Sequence, residues 1–516
     1  MRKIVLRLSE RTVFWLSVVL MGFLAVVSLI STTYFNTSDF LPETPRFRMD
    51  NILLNVISAA VFAAVVYIFC KIRAFEKIKT EKAAIAAALF VLIIGIIWIN
   101  VSGYYPASDQ ASVSRVAYLA SQGDFKQFEA GAYMQVYPNQ LGLVALLEII
   151  YRITGGENWV IYQYITAVSN AFTVYLLYKI THRLFNNKKT DLAVIFLSAV
   201  CAQMLFYTTY VYGISLGLAF ALAAFYFQLK FNENEKIVYA VLSAVMIGLS
   251  VLIKNNYSIF LVAMVILSIC RALEKKKFKS LLAGVSAVVC CAALSMSLTA
   301  VYEVRTGEEI GSGMPKILWV AMGMQEGERA EGWYNGFNYD TYTESGADAE
   351  VSSELAKEAI SERLSEFAED PLYALQFYYK KTVSQWNEPT YESIWANQFH
   401  SGDFGVIMQS IYEGKLYTFL NEYMNIYQLV VFAAVLFSLV IKLRQGMNLE
   451  MERLFLPMVV IGGFIFHLVW EAKSGYIYPY FMCMLPAAAA GISEGGRILE
   501  VRVIKKKDVK NGGAAG

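Results

Sequence analysis

The sequence predicts an all-α polytopic membrane protein of about 12 transmembrane helices, and three observations predict it. Of its 516 residues, 57% belong to the AVILMFWYC set and only 17% are charged, against about a quarter in soluble domains. Mean hydropathy is +0.46. Apolar runs of bilayer length recur from end to end, and chains this apolar do not stay solvated, so disordered and low-complexity classes are excluded.

A bilayer core needs roughly 20 apolar residues per helix, because each residue rises about 1.5 Å and lipid tolerates no unpaired backbone group. The predicted spans are Val13 to Thr33, Asn51 to Cys70, Ala83 to Val101, Trp159 to Tyr178, Leu192 to Tyr207, Gly213 to Gln228, Ile237 to Ile253, Tyr257 to Cys270, Leu281 to Tyr302, Ile426 to Ile441, Leu454 to Trp470 and Ile477 to Ile492. The first is too long for a signal-peptide core and lacks a small-residue cleavage pattern, so it is expected to remain as an anchor. All six cysteines lie in or beside apolar runs, with neither a disulfide framework nor metal-ligand spacing. The balance of 44 Lys+Arg against 42 Asp+Glu argues against nucleic acid as a partner.

Orientation follows the basic residues. The N-terminus, five inter-span segments (71–82, 179–189, 230–236, 271–279 and 442–453) and the tail 497–510 hold 29 of the 44. This predicts a multi-pass plasma-membrane protein with both termini cytoplasmic. The non-cytoplasmic side then carries two long insertions with interfacial and soluble helices. Four regions result: an extra two-span segment (1–82), a transmembrane module (83–303) containing the first outer loop (102–157), an acidic helical lobe (304–425), and C-terminal spans with a basic cytoplasmic tail (426–516).

The lobe holds 20 acids and eight bases, a net charge of −12. Leu355, Ala359, Ile360, Leu364 and Phe367 recur at helical spacing, and Asp370-Pro371 reads as the N-cap and first residue of a second helix running towards Trp386. Its many aromatics suit packing onto the bilayer or binding of sugar rings, packing being expected for most. An Asn36-Thr37-Ser38 sequon is a three-residue match with no other support.

No Asp, Glu, Lys or Arg sits near the middle of a predicted span, which disfavours an ion-coupled transporter. Ionisable groups gather instead at outer ends: Asp109 after the third span, Lys254 in the hairpin Ile253-Lys254-Asn255-Asn256, and Glu471 and Lys473 in Trp470 to Tyr476. Asp109 reads either as a general base at headgroup level or as a cap ahead of a helix over Val113 to Ala120. Tyr137-Pro138-Asn139-Gln140 leads into an apolar stretch with Glu148 and Arg152 four apart, the pattern of an interfacial helix. His467, within an apolar span, reads as a packed histidine. Tyr210 and Tyr212 sit in an outer turn.

This order of features resembles GT-C fold membrane glycosyltransferases, and more closely the bacterial relatives of protein O-mannosyltransferases (glycosyltransferase family 39-like), over roughly residues 83–495. The motifs that match are Asp109 after a span, Tyr137-Pro138-Asn139-Gln140, Leu252-Ile253-Lys254-Asn255-Asn256, and His467 to Tyr476. The resemblance implies transfer of a sugar from a polyprenyl-phosphate donor to an acceptor hydroxyl on the non-cytoplasmic side, with inversion. Asp109 would be the base. Lys254, Lys473 and Arg152 would meet the donor phosphate, and Tyr104, Tyr105, Tyr137, Asn139, Gln140, Asn255, Glu471 and Tyr476 would line the substrates. Each cation also has a plainer reading: Lys254 snorkelling, Lys473 paired with Glu471, Arg152 with Glu148.

The sequence departs from the pattern at Gln110, where relatives have a second acid, and at Gly475, where an Arg is expected. No metal ligand is assigned, and a divalent cation stays open as cofactor. The expected partners are the lipid-linked sugar, a protein, wall-polymer or lipid hydroxyl, and the bilayer. The alternatives are a polysaccharide polymerase or ligase, which would use outer-loop arginines for a pyrophosphate-linked donor, and a lipid-linked sugar flippase or transporter.

Overall fold

The computed structural model describes residues 2–35, 43–72, 77–399, 405–447 and 450–512; the sequon lies outside them. Eleven of the twelve predicted spans lie inside a single helix, overrunning it by no more than three residues at either end, with Val13 to Thr33 running past the helix end at Ile30 into a strand; Leu192 to Tyr207 is broken between two helices. In chain order the helices are α1 (Arg2–Ile30), α2 (Ile52–Phe69), α3 (Thr80–Ser102), α4 (Asp109–Ser121), α5 (Leu141–Thr154), α6 (Trp159–Phe185), α7 (Lys188–Ala199), α8 (Ala202–Phe206), α9 (Ile214–Asn234), α10 (Ile237–Ile253), α11 (Ser258–Lys275) and α12 (Leu281–Thr306). They continue with α13 (Ile317–Gly323), α14 (Phe337–Glu344), α15 (Ala349–Glu369), α16 (Pro371–Trp386), α17 (Val406–Glu413), α18 (Lys415–Arg444), α19 (Phe455–Val469) and α20 (Tyr478–Gly512).

Among the described residues nine helices are long and apolar enough to cross a membrane, and ten if α7 and the 202–209 segment, bent by 46°, form one broken span. The other two predicted spans are the 17-residue α10 and the first part of α20. The bend is hydrogen-bonded from outside: Asn170 of α6 donates to the Met204 carbonyl at 3.0 Å, and Trp98 of α3 donates to Thr209 at 3.1 Å. A break at membrane depth needs such partners, since lipid supplies none.

Polar side chains also tie the central helices. Gln228 of α9 donates to the Met264 carbonyl of α11 at 2.9 Å, and the Phe225 and Phe455 rings stack 3.8 Å apart. Among the described residues the one sheet is an antiparallel hairpin of β1 (Ser31–Tyr34) and β2 (Arg46–Met49) between α1 and α2. It is stitched to the lobe: Thr33 donates to the Val383 carbonyl at 3.0 Å, and Asn387 donates to the Ser31 carbonyl at 2.8 Å.

The two lobe helices form where the pattern placed them. Asp370 accepts from the Tyr373 amide at 3.0 Å while Pro371 opens α16, a cap that satisfies one of the four orphan amides of a helix start. The other end of α16 enters the core, with Trp386 stacked on Tyr480 and edge-on to Phe464. Helix α18 begins at Lys415 and so runs through the expected boundary at 425.

Candidate active site

Gly103, at φ +56°, ends α3 in the left-handed conformation that glycine adopts most readily. Five residues later Ser108, at φ +52° and ψ −131°, holds a backbone conformation rarely seen for an L-residue. This reversal makes Asp109 the first residue of α4. Its carboxylate does not cap the helix. It accepts from the Tyr212 hydroxyl at 3.0 Å, and that hydroxyl accepts from the Gln140 amide at 2.7 Å. The next residue locks the turn: the Gln110 carbonyl oxygen accepts from Tyr104 at 2.6 Å and from the Val211 amide at 2.7 Å. Gln110 thus takes the position of the second acid and serves as a buried anchor.

Asp109 lines a cavity of about 770 Å³ with Tyr137, Asn139, Gln140, Lys254, Asn255, Glu471, Lys473 and Tyr476, nine of the twelve sequence-predicted site residues. The first insertion, the α10–α11 turn and the segment after α19 therefore converge as the motifs required. Three predicted residues stand apart. Arg152 bonds Glu148 at 2.8 Å and the Ala120 carbonyl at 3.0 Å, tying α5 to α4. Tyr104 is buried against Gln110, and Tyr105 bonds the Phe399 backbone through its amide. Neither tyrosine lines the cavity.

The cavity lining divides into polar groups and an apolar arm, the latter formed by Val251, Leu252, Ile259, Leu298 and Phe466 of α10, α11, α12 and α19. At the junction the Lys254 ammonium lies 3.6 Å from the centroid of the Tyr212 ring. Lys254 is 7% exposed and makes no ion pair among the described residues. Burial pushes its pKa down to about 7, against the pull of Asp109. Burial likewise pushes Glu471 up to about 7, with Lys473 opposing and Glu43 and Asp109 reinforcing the rise.

Lys473 does not pair with Glu471. It bonds Glu43 and lies 3.6 Å from Glu392, and Glu43 also accepts from Arg329 at 2.6 Å. Burial acts to raise the Glu43 pKa, but Lys473 and Arg329 outweigh it and hold this carboxyl below its ordinary range. Glu392 is pushed well above that range by burial and by Glu43. A proton therefore stays on Glu392 and the charge on Glu43. Behind them Glu388 accepts from Ser474 at 2.9 Å and from the Glu392 amide at 2.7 Å.

Glu43, Glu388, Glu392 and Arg329 were not found from the sequence. Acids in a strongly acidic lobe or an N-terminal segment give no local sign of burial. A second missed group is Lys381, fully buried, whose ammonium donates to the carbonyls of Gly323, Leu468 (3.0 Å) and Trp470 (2.8 Å). It satisfies the end of α19 and fixes the course of the Trp470 to Tyr476 segment. Histidine 467 packs flat on Tyr476, ring centroids 5.5 Å apart.

Residues 141–299 match the family model described as dolichyl-phosphate-mannose-protein mannosyltransferase. The class so defined is a polytopic helical membrane protein that is similar to this mannosyltransferase family over its central spans. The match includes Lys254 and Tyr212 and leaves Asp109 upstream. Ten solved chains are similar in structure. One is the archaeal oligosaccharyltransferase AglB from Archaeoglobus fulgidus in complex with an inhibitory peptide and a dolichol-phosphate, at 13% identity and a TM-score of 0.43. Another is the apo form of the Archaeoglobus fulgidus oligosaccharyltransferase, at 14% and 0.45. Each alignment covers 84% of this chain and 52% of the other, so the chain spans about half the length of these proteins. A comparison with curated proteins gives no match.

Proposed function

We propose that the protein transfers a sugar from a polyprenyl-phosphate donor to an acceptor hydroxyl on the non-cytoplasmic side of the membrane. The observation that carries this reading is the pairing of Asp109 and Lys254 on one tyrosine, at the junction of a polar cavity and an apolar arm. The prenyl chain lies in the arm and its phosphate meets Lys254, a cation that makes no ion pair among the described residues. The acceptor oxygen attacks the anomeric carbon from the opposite side. The carbon–oxygen bond to phosphate breaks with its electron pair staying on the leaving polyprenyl phosphate, the acceptor proton passes to Asp109, and the configuration inverts.

A polymerase acting on a pyrophosphate-linked donor fits less well. Arg329 is the one arginine lining the cavity among the described residues, and it is neutralised by Glu43.

The test is reconstitution of the purified protein in liposomes with defined polyprenyl-phosphate sugars. Release of polyprenyl phosphate together with a glycosylated product is expected. Movement of labelled lipid across the bilayer without any product would replace the transferase by a flippase.

A further inference from the structure

A run of five aromatic rings crosses the cavity wall. Phe466 and Trp470 stack at 5.0 Å between centroids, Trp470 and Trp319 lie parallel within 4° at 5.8 Å, Trp319 meets Tyr137 at 6.5 Å, and Tyr137 meets Tyr133 at 5.1 Å. All five line the cavity. They come from three separated parts of the chain: the first insertion, the lobe helix α13 and the end of α19. The first ring, Phe466, belongs to the apolar arm. Towards the other end the ladder is flanked by polar groups lining the same space, Asn139, Lys316 and Asn338.

We infer that this ladder is the acceptor site and that the acceptor is a neutral glycan, a deepening that rests on the transferase reading above. Aromatic faces alternating with hydrogen-bonding side chains suit pyranose rings, which present an apolar C–H face and a rim of hydroxyls. Aromatic residues are also common at membrane interfaces, but a belt of that kind faces lipid, whereas these rings face the cavity. Charge narrows the class further: Lys254, Lys316, Lys473 and Arg329 in the lining are nearly balanced by Glu43, Asp109 and Glu471, so the cavity has no strong field of one sign and suits a neutral polymer. Strand addition, one way of holding an extended peptide, needs a sheet edge. The one sheet among the described residues is the β1–β2 hairpin, and its strands do not line the cavity. A glycan laid along Tyr137 and Trp319 brings a terminal hydroxyl towards Asp109, which lines the same cavity and is near enough to act electrostatically on Tyr133 and Tyr137.

The experiment uses the full-length protein in liposomes and separates binding from turnover. Intrinsic tryptophan fluorescence is titrated with mannan, glucan and chitin oligosaccharides, without donor. Transfer is then measured with saturating polyprenyl-phosphate sugar to the same oligosaccharides, to a Ser/Thr-rich peptide and to diacylglycerol. A saturable fluorescence change with at least one neutral glycan is expected, together with preferred transfer to that glycan. Trp319→Ala and Trp470→Ala should each raise the glycan KM by roughly three- to tenfold, the worth of one aromatic stacking contact, with kcat and donor KM unchanged. Trp319→Phe should recover part of the loss.

Preferred transfer to peptide or lipid, or a glycan KM unmoved in both alanine variants, would overturn the inference. So would the absence of any fluorescence response across the glycans. Glycan binding without cleavage of any donor would leave the ladder standing and refute the transferase reading instead.

Discussion

The Lys254 ammonium rests 3.6 Å from the centroid of the Tyr212 ring, and the hydroxyl of the same ring donates to Asp109 at 3.0 Å. One tyrosine thus holds the proposed donor-side cation on its face and the proposed base at its edge, fixing the distance between the two. Tyr212→Phe keeps the face and removes the edge. It is expected to lower kcat while leaving donor KM close to wild type, which steady-state kinetics on the reconstituted protein will separate.

The charge on Lys254 sets a pH dependence. Its pKa is pushed down to about 7, so the ammonium is present below that value and lost above it. Donor KM should therefore rise as pH goes from 7 to 9. Lys254→Met should show a high donor KM with no such rise. Lys254→Arg, charged throughout that range, should flatten the profile at low KM. A wild-type donor KM independent of pH would remove Lys254 from the phosphate site.

Asp109→Asn can still accept from Tyr212 but cannot take up a proton. Transfer is expected to fall by roughly 10²–10⁴, the ordinary contribution of a positioned base, with an unchanged unfolding temperature in detergent. Full activity in a stably folded variant would refute the assignment.

Glu43 gives the N-terminal two-span segment a structural part in the site, since its carboxylate neutralises Lys473 and Arg329 inside the cavity. Glu43→Gln leaves both cations short of a partner and should lower the unfolding temperature at neutral pH. The folded-state pKa lies below its unfolded value, so this contribution is complete above the unfolded value and vanishes as pH falls through the folded one. The gap between variant and wild type should accordingly close in acid.

The cavity wall also depends on one close approach. A Cβ on Gly142 would stand 2.0 Å from the Leu252 carbonyl oxygen, where α5 crosses α10. Both residues line the cavity, so Gly142→Ala should cost about 1–3 kcal/mol by overpacking and reduce transfer as well. Gly156→Ala, with nothing within 4 Å of its Cβ, is the neutral control, and thermal unfolding in detergent compares them.

Most of the apolar helices, the lobe helices α15 and α16 and the Asp370-Pro371 start of α16 were legible in the sequence, because hydropathy and capping act within a few residues of one another; the short lobe helices α13, α14 and α17 were not. The polar end of the site was legible in part. Asp109, Lys254 and Lys473 stood out because ionisable groups at the ends of apolar runs are few. Their partners did not, and Lys473 shows why: the neighbouring Glu471 looked like its mate, while its actual partner, Glu43, lies 430 positions away.

By itself, then, the sequence determined which segments are apolar enough to enter a membrane and which few charged residues flank them, since transfer free energy is summed over short stretches of chain. Only the tertiary structure decided which carboxylates are buried, that Arg152 and Tyr105 lie outside the cavity, and that Tyr212 joins base to cation. Burial and pairing depend on what the rest of the fold brings within a few ångströms, and no local pattern carries that information.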